Sequence, residues 1–452
     1  MPRLQDVKAT WILAWPIMIG QLAQTGTGFV DAVMAGHLSA GDLAAVSVGT
    51  SIWSVMIVTM FGLLIAISPM ASQKVGAKAW HEIPSLTQQA LYQGLFIALI
   101  MMLIAHSLLP IFSHIGLAPD VAEKGSRFLA VISWGFPAVA IARVLYGYSS
   151  CLNQTKPMMV ISILALLLNI PANYVLIYGE WGFPELGAVG CAWATAMCMW
   201  FSAIMWIIWI RISPIYRDTH PFRHIEGLRL HTQKQLAKLA IPIGIMFFVE
   251  SSAFSLIALM LAKLGTTTVA SHQIALNFSS LTFMIPLAIS TALTVRVGQA
   301  VGAGDFKLAR FIGETGIYLG FVLAIISGCM IIAFRSTIAA WYTSDPAVIL
   351  LAAKLLLLSG FFQFSDATQI VVAGVLRGYK STRMPLVIHL TAFWVIGIPL
   401  GYALTFGVGP FSPQGPAGYW LALVIALTFA AISLYAFFRR ISVRALHMGI
   451  SS

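Results

Sequence analysis

Apolar runs recur along this chain from end to end, each about 20 residues long, enough to cross a hydrocarbon core of about 30 Å as a helix. Twelve candidate spans can be marked: 11–34, 47–72, 86–112, 126–150, 157–179, 186–210, 236–262, 271–295, 311–334, 350–376, 385–407 and 416–438. Composition removes the water-soluble alternatives. Only 9% of the 452 residues are charged and 59% are hydrophobic, where soluble domains carry roughly 25% charge. The formal net charge of +11 would suggest nucleic acid in a soluble protein. Here it is an orientation signal. With the first residue placed in the cytoplasm, 20 of the 26 Lys and Arg fall in cytoplasmic segments, which follows the positive-inside rule and puts both termini inside. A nucleic-acid partner is not expected.

The first span carries Asp31 and has no small-residue cleavage site, so it reads as a retained helix rather than a removed signal. Cys151, Cys191, Cys198 and Cys329 show no CxxC spacing and read as packing residues. Trp11, Trp53, Trp181 and Trp420 lie near span ends, where interfacial belts are expected.

The two halves of the chain repeat one design. "LAWPI" at Leu13–Ile17 answers "LAIPI" at Leu239–Ile243, and "VGA" at Val75–Ala77 answers "VGA" at Val301–Ala303, both at a shift of 226. Pro157, Pro171, Tyr174, Gly187 and Gly190 meet Pro385, Pro399, Tyr402, Gly415 and Gly418 at a shift of 228. The division expected is an N-terminal six-helix lobe over 1–210, a basic cytoplasmic linker over 211–235 and a C-terminal six-helix lobe over 236–452. Six spans per half is an even number, so both halves enter the membrane in the same sense, as parallel transporter repeats do. No GxxxxGK[ST] phosphate loop occurs. Work must therefore come from an ion gradient, where one charge crossing 100 mV supplies about 2.3 kcal/mol.

Three acids lie deep within spans: Asp31 in the first, Glu250 in the seventh and Asp366 in the tenth. Each costs roughly 2.5–3.5 kcal/mol near the bilayer centre unless it faces water, is paired, binds a cation or is protonated. Their neighbours are polar. Gln24, Thr27 and Asp31 share one helical face, as do Phe362, Gln363, Asp366 and Gln369. Gln273, Asn277, Ser280 and Met284 stripe the eighth span, and Asn169 and Asn173 flank Pro171 in the fifth. Apart from Arg143 and Lys354, no basic residue lies near these stripes, so the acids are available to exchangeable cations, either H+ or Na+. Arg143 reads as the partner of an unidentified acid. His272 and His389 read as packed rather than as proton relays. Phe247, Phe254, Phe278 and Phe362 flank the acids and could present ring faces to flat organic cations. Pro16, Pro137, Pro171, Pro242, Pro286 and Pro399 are expected to bend their helices.

The stretches "PIMIGQLAQTGTGFVDAVMAG", "LLLNIPANYVLIYG", "ELGAVGCAWAT", "SHQIALNFSSLTFMIP" and "VAGVLRGYK" together resemble the multidrug and toxic compound extrusion family, in its NorM-type bacterial branch. The resemblance implies an all-α membrane protein of twelve transmembrane helices, in two pseudo-symmetric six-helix lobes around a central cleft. It implies an inner-membrane antiporter, not an enzyme, that exports cationic amphipathic drugs and dyes in exchange for H+ or Na+ and holds no cofactor. Its expected partners are those drugs and membrane lipid, with a monomer as the working unit. Carried over by position, the C-lobe cation site falls on Glu250, Asp366 and Asn277, with Na+ possible at the two acids. Asp31 is expected to join them as a coupling-ion or cation-binding residue that tunes drug or proton binding from the other lobe, beside an N-lobe polar site of Asn169, Asn173 and Gln24. Substrate-contact candidates are Phe247, Phe254, Phe278, Phe362, Gln273 and Met284. Asn173 stands where relatives with an archaeal-type site carry a second acid. The rival reading is a lipid-linked precursor flippase of a related two-lobed fold. An intramembrane enzyme would need a constellation such as HExxH, which this chain lacks.

Overall fold

In lipid each backbone N–H and C=O must find its partner within the segment, and the apolar runs accordingly fold as helices. The computed structural model describes residues 2–114 and 116–450. Among the described residues there is no β-strand. The helices are α1 (Pro2–Leu38), α2 (Ala40–Leu64), α3 (Ile67–Gly76), α4 (Ile83–Leu108), α5 (Pro119–Ser133), α6 (Phe136–Cys151), α7 (Lys156–Tyr178) and α8 (Ala188–Ile212). They continue with α9 (Leu230–Ala262), α10 (Thr266–Gly302), α11 (Phe306–Tyr342), α12 (Pro346–Gly378), α13 (Arg383–Leu390), α14 (Ile398–Phe406) and α15 (Pro416–Ile450).

Ten segments of the described chain are long and apolar enough to cross a membrane, and α5 with α6, bent by 43°, makes an eleventh. Helix α1 stays outside that count because Gln21, Gln24, Thr25, Thr27 and Asp31 run through its middle. With α1 the spans number twelve, one for each run marked in the sequence. Pro137 lies just inside α6 after the 43° break. Pro16, Pro171, Pro242 and Pro286 lie inside unbroken helices. Pro399 opens α14 after a π-helical segment, Thr391–Gly397.

The repeat extends to individual backbone hydrogen bonds. Ala77 N–H donates to Gln73 C=O and Ala79 N–H to Lys74 C=O; 226 residues later Ala303 donates to Gln299 and Asp305 to Ala300. Leu186 and Gly187 donate to Leu176 and Ile177, while 228 residues later Gln414 and Gly415 donate to Leu404 and Thr405. The turns that close α7 and α14 use left-handed glycines, Gly179 at φ 72° and Gly407 at φ 73°. Gly190 and Gly418 let the following helix approach: a Cβ on Gly190 would collide with the Leu176 carbonyl, and one on Gly418 would meet Thr405 N at 2.5 Å. Equivalent contacts at equivalent positions establish two pseudo-symmetric copies.

Two compact units result, one comprising Pro16–Gly244 and the other Met1–Trp15 with Ile245–Ser452. Both boundaries fall inside helices, in α1 and in α9, next to the repeated prolines Pro16 and Pro242. In the first unit the polar connection after α8 is pinned to α4 and α6. Gln88 Oε1 accepts from Glu226 N–H at 2.8 Å, Gln89 Oε1 from Arg229 N–H at 2.8 Å, and Tyr148 Oη donates to Thr219 C=O at 2.9 Å. In the second unit α12 is central, packing on α10, α11 and α15, and it is buried along most of its length from Ala352 to Gly378, Asp366 included.

Candidate cation sites

In the first unit, α1, α7 and α8 converge on Asp31, which is 7% exposed. Asn169 Nδ2 and Asn173 Nδ2 donate to its Oδ1 at 3.1 and 2.6 Å, and Thr195 Oγ1 donates to Oδ2 at 2.6 Å. The Cys191 thiol hydrogen-bonds the same carboxylate. Asn173 Nδ2 also donates to Asn169 Oδ1 at 3.0 Å. Asn169 and Asn173 face one way because they are four residues apart on α7, and Cys191 and Thr195 share the same spacing on α8. Burying a carboxylate is costly unless hydrogen bonds replace its water. Here neutral donors from two helices replace it, and no base is involved. Asn173 Oδ1 remains without a partner.

Sequence reading missed Thr195 and Cys191. The one available signal was their spacing of four on a face otherwise made of small residues. Gln24, also expected at this site, does not contact Asp31: its Nε2 donates to Ser162 Oγ at 3.3 Å and its Oε1 accepts from Arg143 Nη2 at 2.8 Å. Thr27 turns back to its own helix, donating to Ala23 C=O at 3.4 Å. Among the described residues no acid forms a salt bridge with Arg143, although one was expected. Its guanidinium carbon lies 3.6 Å from the Phe61 ring centroid, so a π face and an amide oxygen do the work assigned to a carboxylate.

In the second unit Glu250 of α9 and Asp366 of α12 lie within electrostatic reach of one another. Glu250 is half-buried and Asp366 buried. Asp366 Oδ1 accepts one hydrogen bond, from Gln369 Nε2 at 3.2 Å, and among the described residues neither acid forms a salt bridge. Lys354 is exposed. Gln363 donates to Ser279 C=O at 3.5 Å. Asn277 and Gln273 are exposed and Met284 is half-buried, and no hydrogen bond joins Asn277 to either acid. No group of three or more His, Cys, Asp or Glu suited to a metal occurs among the described residues.

The aromatic candidates separate by burial. Phe362 is buried, in edge contact with Phe254 at 6.3 Å and Trp420 at 5.7 Å, and Phe254 meets Phe393 at 6.0 Å. Phe278 packs against the same core and Phe247 is half-buried. Trp420 is not an interfacial belt residue: it is 1% exposed and its Nε1 donates to His272 Nδ1 at 3.2 Å. That contact packs His272, as expected. His389 is packed too, yet it also belongs to a polar line that reaches Asp366. His389 Nδ1 donates to Pro385 C=O at 2.8 Å, and its Nε2 lies 2.5 Å from Gln369 Oε1.

The MatE family profile matches residues 16–175 and 242–403, one copy on each half of the repeat. The chain belongs to the MatE family. It is 44% identical to the multidrug resistance protein PmpM of Pseudomonas aeruginosa over 95% of this chain and 90% of that one. It is 41% identical to the probable multidrug resistance protein NorM of Chromobacterium violaceum over 96% and 94%. Among solved structures, the MATE transporter NorM-NG in its complex with a monobody superposes with TM-score 0.81 at 34% identity, covering 97% of this chain and 96% of that one. The eukaryotic MATE transporter AtDTX14 shares the fold at TM-score 0.90 and 20% identity, over 99% and 100%. The protein is thus a secondary-active multidrug efflux transporter of the NorM type, not an enzyme.

Proposed function

We propose that this transporter sits in a bacterial inner membrane with both termini cytoplasmic, works as a monomer, and exchanges H+ for cationic amphipathic drugs at Glu250 and Asp366. The observation that carries the reading is two neighbouring carboxylates that, among the described residues, have one amide donor and no salt-bridge partner. Such a pair lacks a fixed counter-charge, and low dielectric penalises both ions at once. A proton or an organic cation relieves the penalty, and the two cannot both occupy the same charge. Drug binding and protonation therefore compete, which is what antiport needs.

The donor set favours H+ over Na+. A hard cation needs several oxygen ligands, whereas Asp366 Oδ1 faces an N–H and, among the described residues, no hydrogen bond joins Asn277 to the pair. Asp31 has the opposite provision, and its role is to hold α1 against α7 and α8. The N-lobe site, expected to bind or tune a coupling cation, is therefore read as a structural fixture rather than a coupling site. Flat drugs such as ethidium would meet Phe247, Phe254 and Phe278 before the buried Phe362.

Efflux of ethidium from proteoliposomes, with an H+ gradient or a Na+ gradient imposed alone, tests the reading. Native protein should respond to H+ and Asp366→Asn should respond to neither. Export driven by Na+ alone contradicts H+ coupling, and H+-driven export that survives Asp366→Asn contradicts the assigned site.

A further inference from the structure

Asp366, Gln369 and His389 form one buried line whose donors and acceptors can be matched only in certain protonation states. Pro385 C=O accepts and cannot donate, so the hydrogen on His389 Nδ1 is fixed there. Gln369 lies between the other ring nitrogen and the acid. With Asp366 ionised, the amide must turn its NH2 to the carboxylate and its oxygen to His389. That oxygen then needs an N–H on Nε2, which makes His389 an imidazolium. With Asp366 protonated, its O–H donates to the amide oxygen and the amide NH2 donates to a bare Nε2, which makes His389 neutral. The two matched states hold the same number of protons. An ionised Asp366 beside a neutral His389 leaves one end of the amide facing a like partner, and in a dry interior that mismatch costs about 1–3 kcal/mol.

We infer that His389 is a proton depot for Asp366, with Gln369 as the connector. The inference rests on the reading of Glu250 and Asp366 as the pair at which drug and proton compete. When a cationic drug neutralises Asp366 from the front, the proton leaves the Asp366 carboxyl, its O–H electron pair staying on oxygen. A proton is gained by His389 Nε2, whose lone pair forms the new N–H bond, and the amide turns over between them. When the drug departs the movement reverses. Charge within the pair is conserved, so Asp366 gives up no proton to solvent at that step, and the proton exchanged for the drug is the one that Glu250 releases.

The groups that act on this line are Arg377, Glu250 and the ring of Phe393. Arg377 of α12 lies within electrostatic reach of His389, and it is buried with Nε and Nη1 unpartnered and Nη2 donating to Ser290 Oγ at 2.7 Å. Its positive charge repels an imidazolium and so drives the proton back once the drug is gone. Glu250 acts from α9 on the Asp366 end. Phe393 stacks on the imidazole at 6.4 Å, at an interplanar angle of 25°, and carries no titratable group. From α15, which packs on α13, no titratable side chain among the described residues acts on His389. The π-helical turn begins at Thr391, two residues beyond the histidine. Such turns recur at functional sites in helices.

His389 is fully buried and acts on the site only through Gln369, so it is a positioning residue. The test counts protons released when ethidium binds purified full-length protein in weakly buffered detergent solution. In His389→Gln the ring is replaced by a group that bonds but cannot take a proton. Gln369→Met cuts the same link from the other side and serves if the first variant does not fold. Each should release about one proton more per ethidium than native protein, and its ethidium affinity should fall by up to about tenfold more per unit of acidification. In an Asp366→Asn background His389→Gln should change nothing. A merely structural histidine would shift affinity equally at every pH and leave the count unaltered. If both variants match the native count while Asp366→Asn still abolishes H+-driven efflux, the depot is wrong and the coupling acid stands. If Asp366→Asn transports normally, the coupling reading fails and takes the depot with it.

Discussion

Asp31 and Asp366 are both buried aspartates on long helices, one in each half of a duplicated protein, and the two halves have provided for them differently. Asp31 receives donors from Asn169, Asn173, Thr195 and Cys191. Asp366 receives one, from Gln369, and faces a second acid instead of a second donor. A charge surrounded by matched donors is a structural fixture, because removing it orphans every donor at once. A charge with few donors is under-solvated and gains from any cation that arrives. Duplication supplied the same scaffold twice, and the side chains around each acid set how fully its charge is matched by donors.

The sharpest way to break this contrast is to neutralise each acid and read transport and stability separately. Asp366→Asn should reduce H+-driven ethidium efflux by at least about 100-fold, which corresponds to about 2.7 kcal/mol. Its apparent thermal midpoint in detergent should stay within the effect of about 1 kcal/mol. Asp31→Leu should do the reverse in its first readout, lowering stability by on the order of 3 kcal/mol through orphaned donors on α7 and α8. Equal stability losses for the two would refute the contrast.

Smaller effects sharpen it. Glu250→Gln should weaken ethidium binding about tenfold, equivalent to about 1.4 kcal/mol. Protons compete with the drug for Glu250, so native affinity falls as pH falls, and this variant should flatten that fall. Titration of ethidium fluorescence at several pH values would show it. Thr195→Val removes one of the donors to Asp31 and should lower stability by about 1 kcal/mol with efflux nearly native, measured by thermal unfolding beside proteoliposome transport.

Much of the fold was legible before any coordinates. The spans follow from the apolar runs, because a bilayer allows little else. The repeat was visible in Pro16 and Pro242, and the backbone hydrogen bonds after α3 and α10 confirm it at the same shift. The three acids were conspicuous because a carboxylate in an oily run has to be explained. Partners across helices were less legible. Gln24 points along the expected face yet serves Arg143, and Trp420 lies near a span end yet is packed inside its unit. The connection after α8 reads in sequence as a basic linker, and only the structure shows Gln88, Gln89 and Tyr148 fastening it to α4 and α6.

The sequence alone determined that this is a duplicated bundle of membrane-spanning helices with acids in its interior, since periodicity, hydropathy and charge are properties of single segments. Which of those acids is held by donors, which stands beside another acid, and that a histidine joins one of them through an amide were decided by tertiary structure. Those facts depend on how each helix is rotated and set along its neighbour, to within the reach of a hydrogen bond, and no single segment encodes that alone.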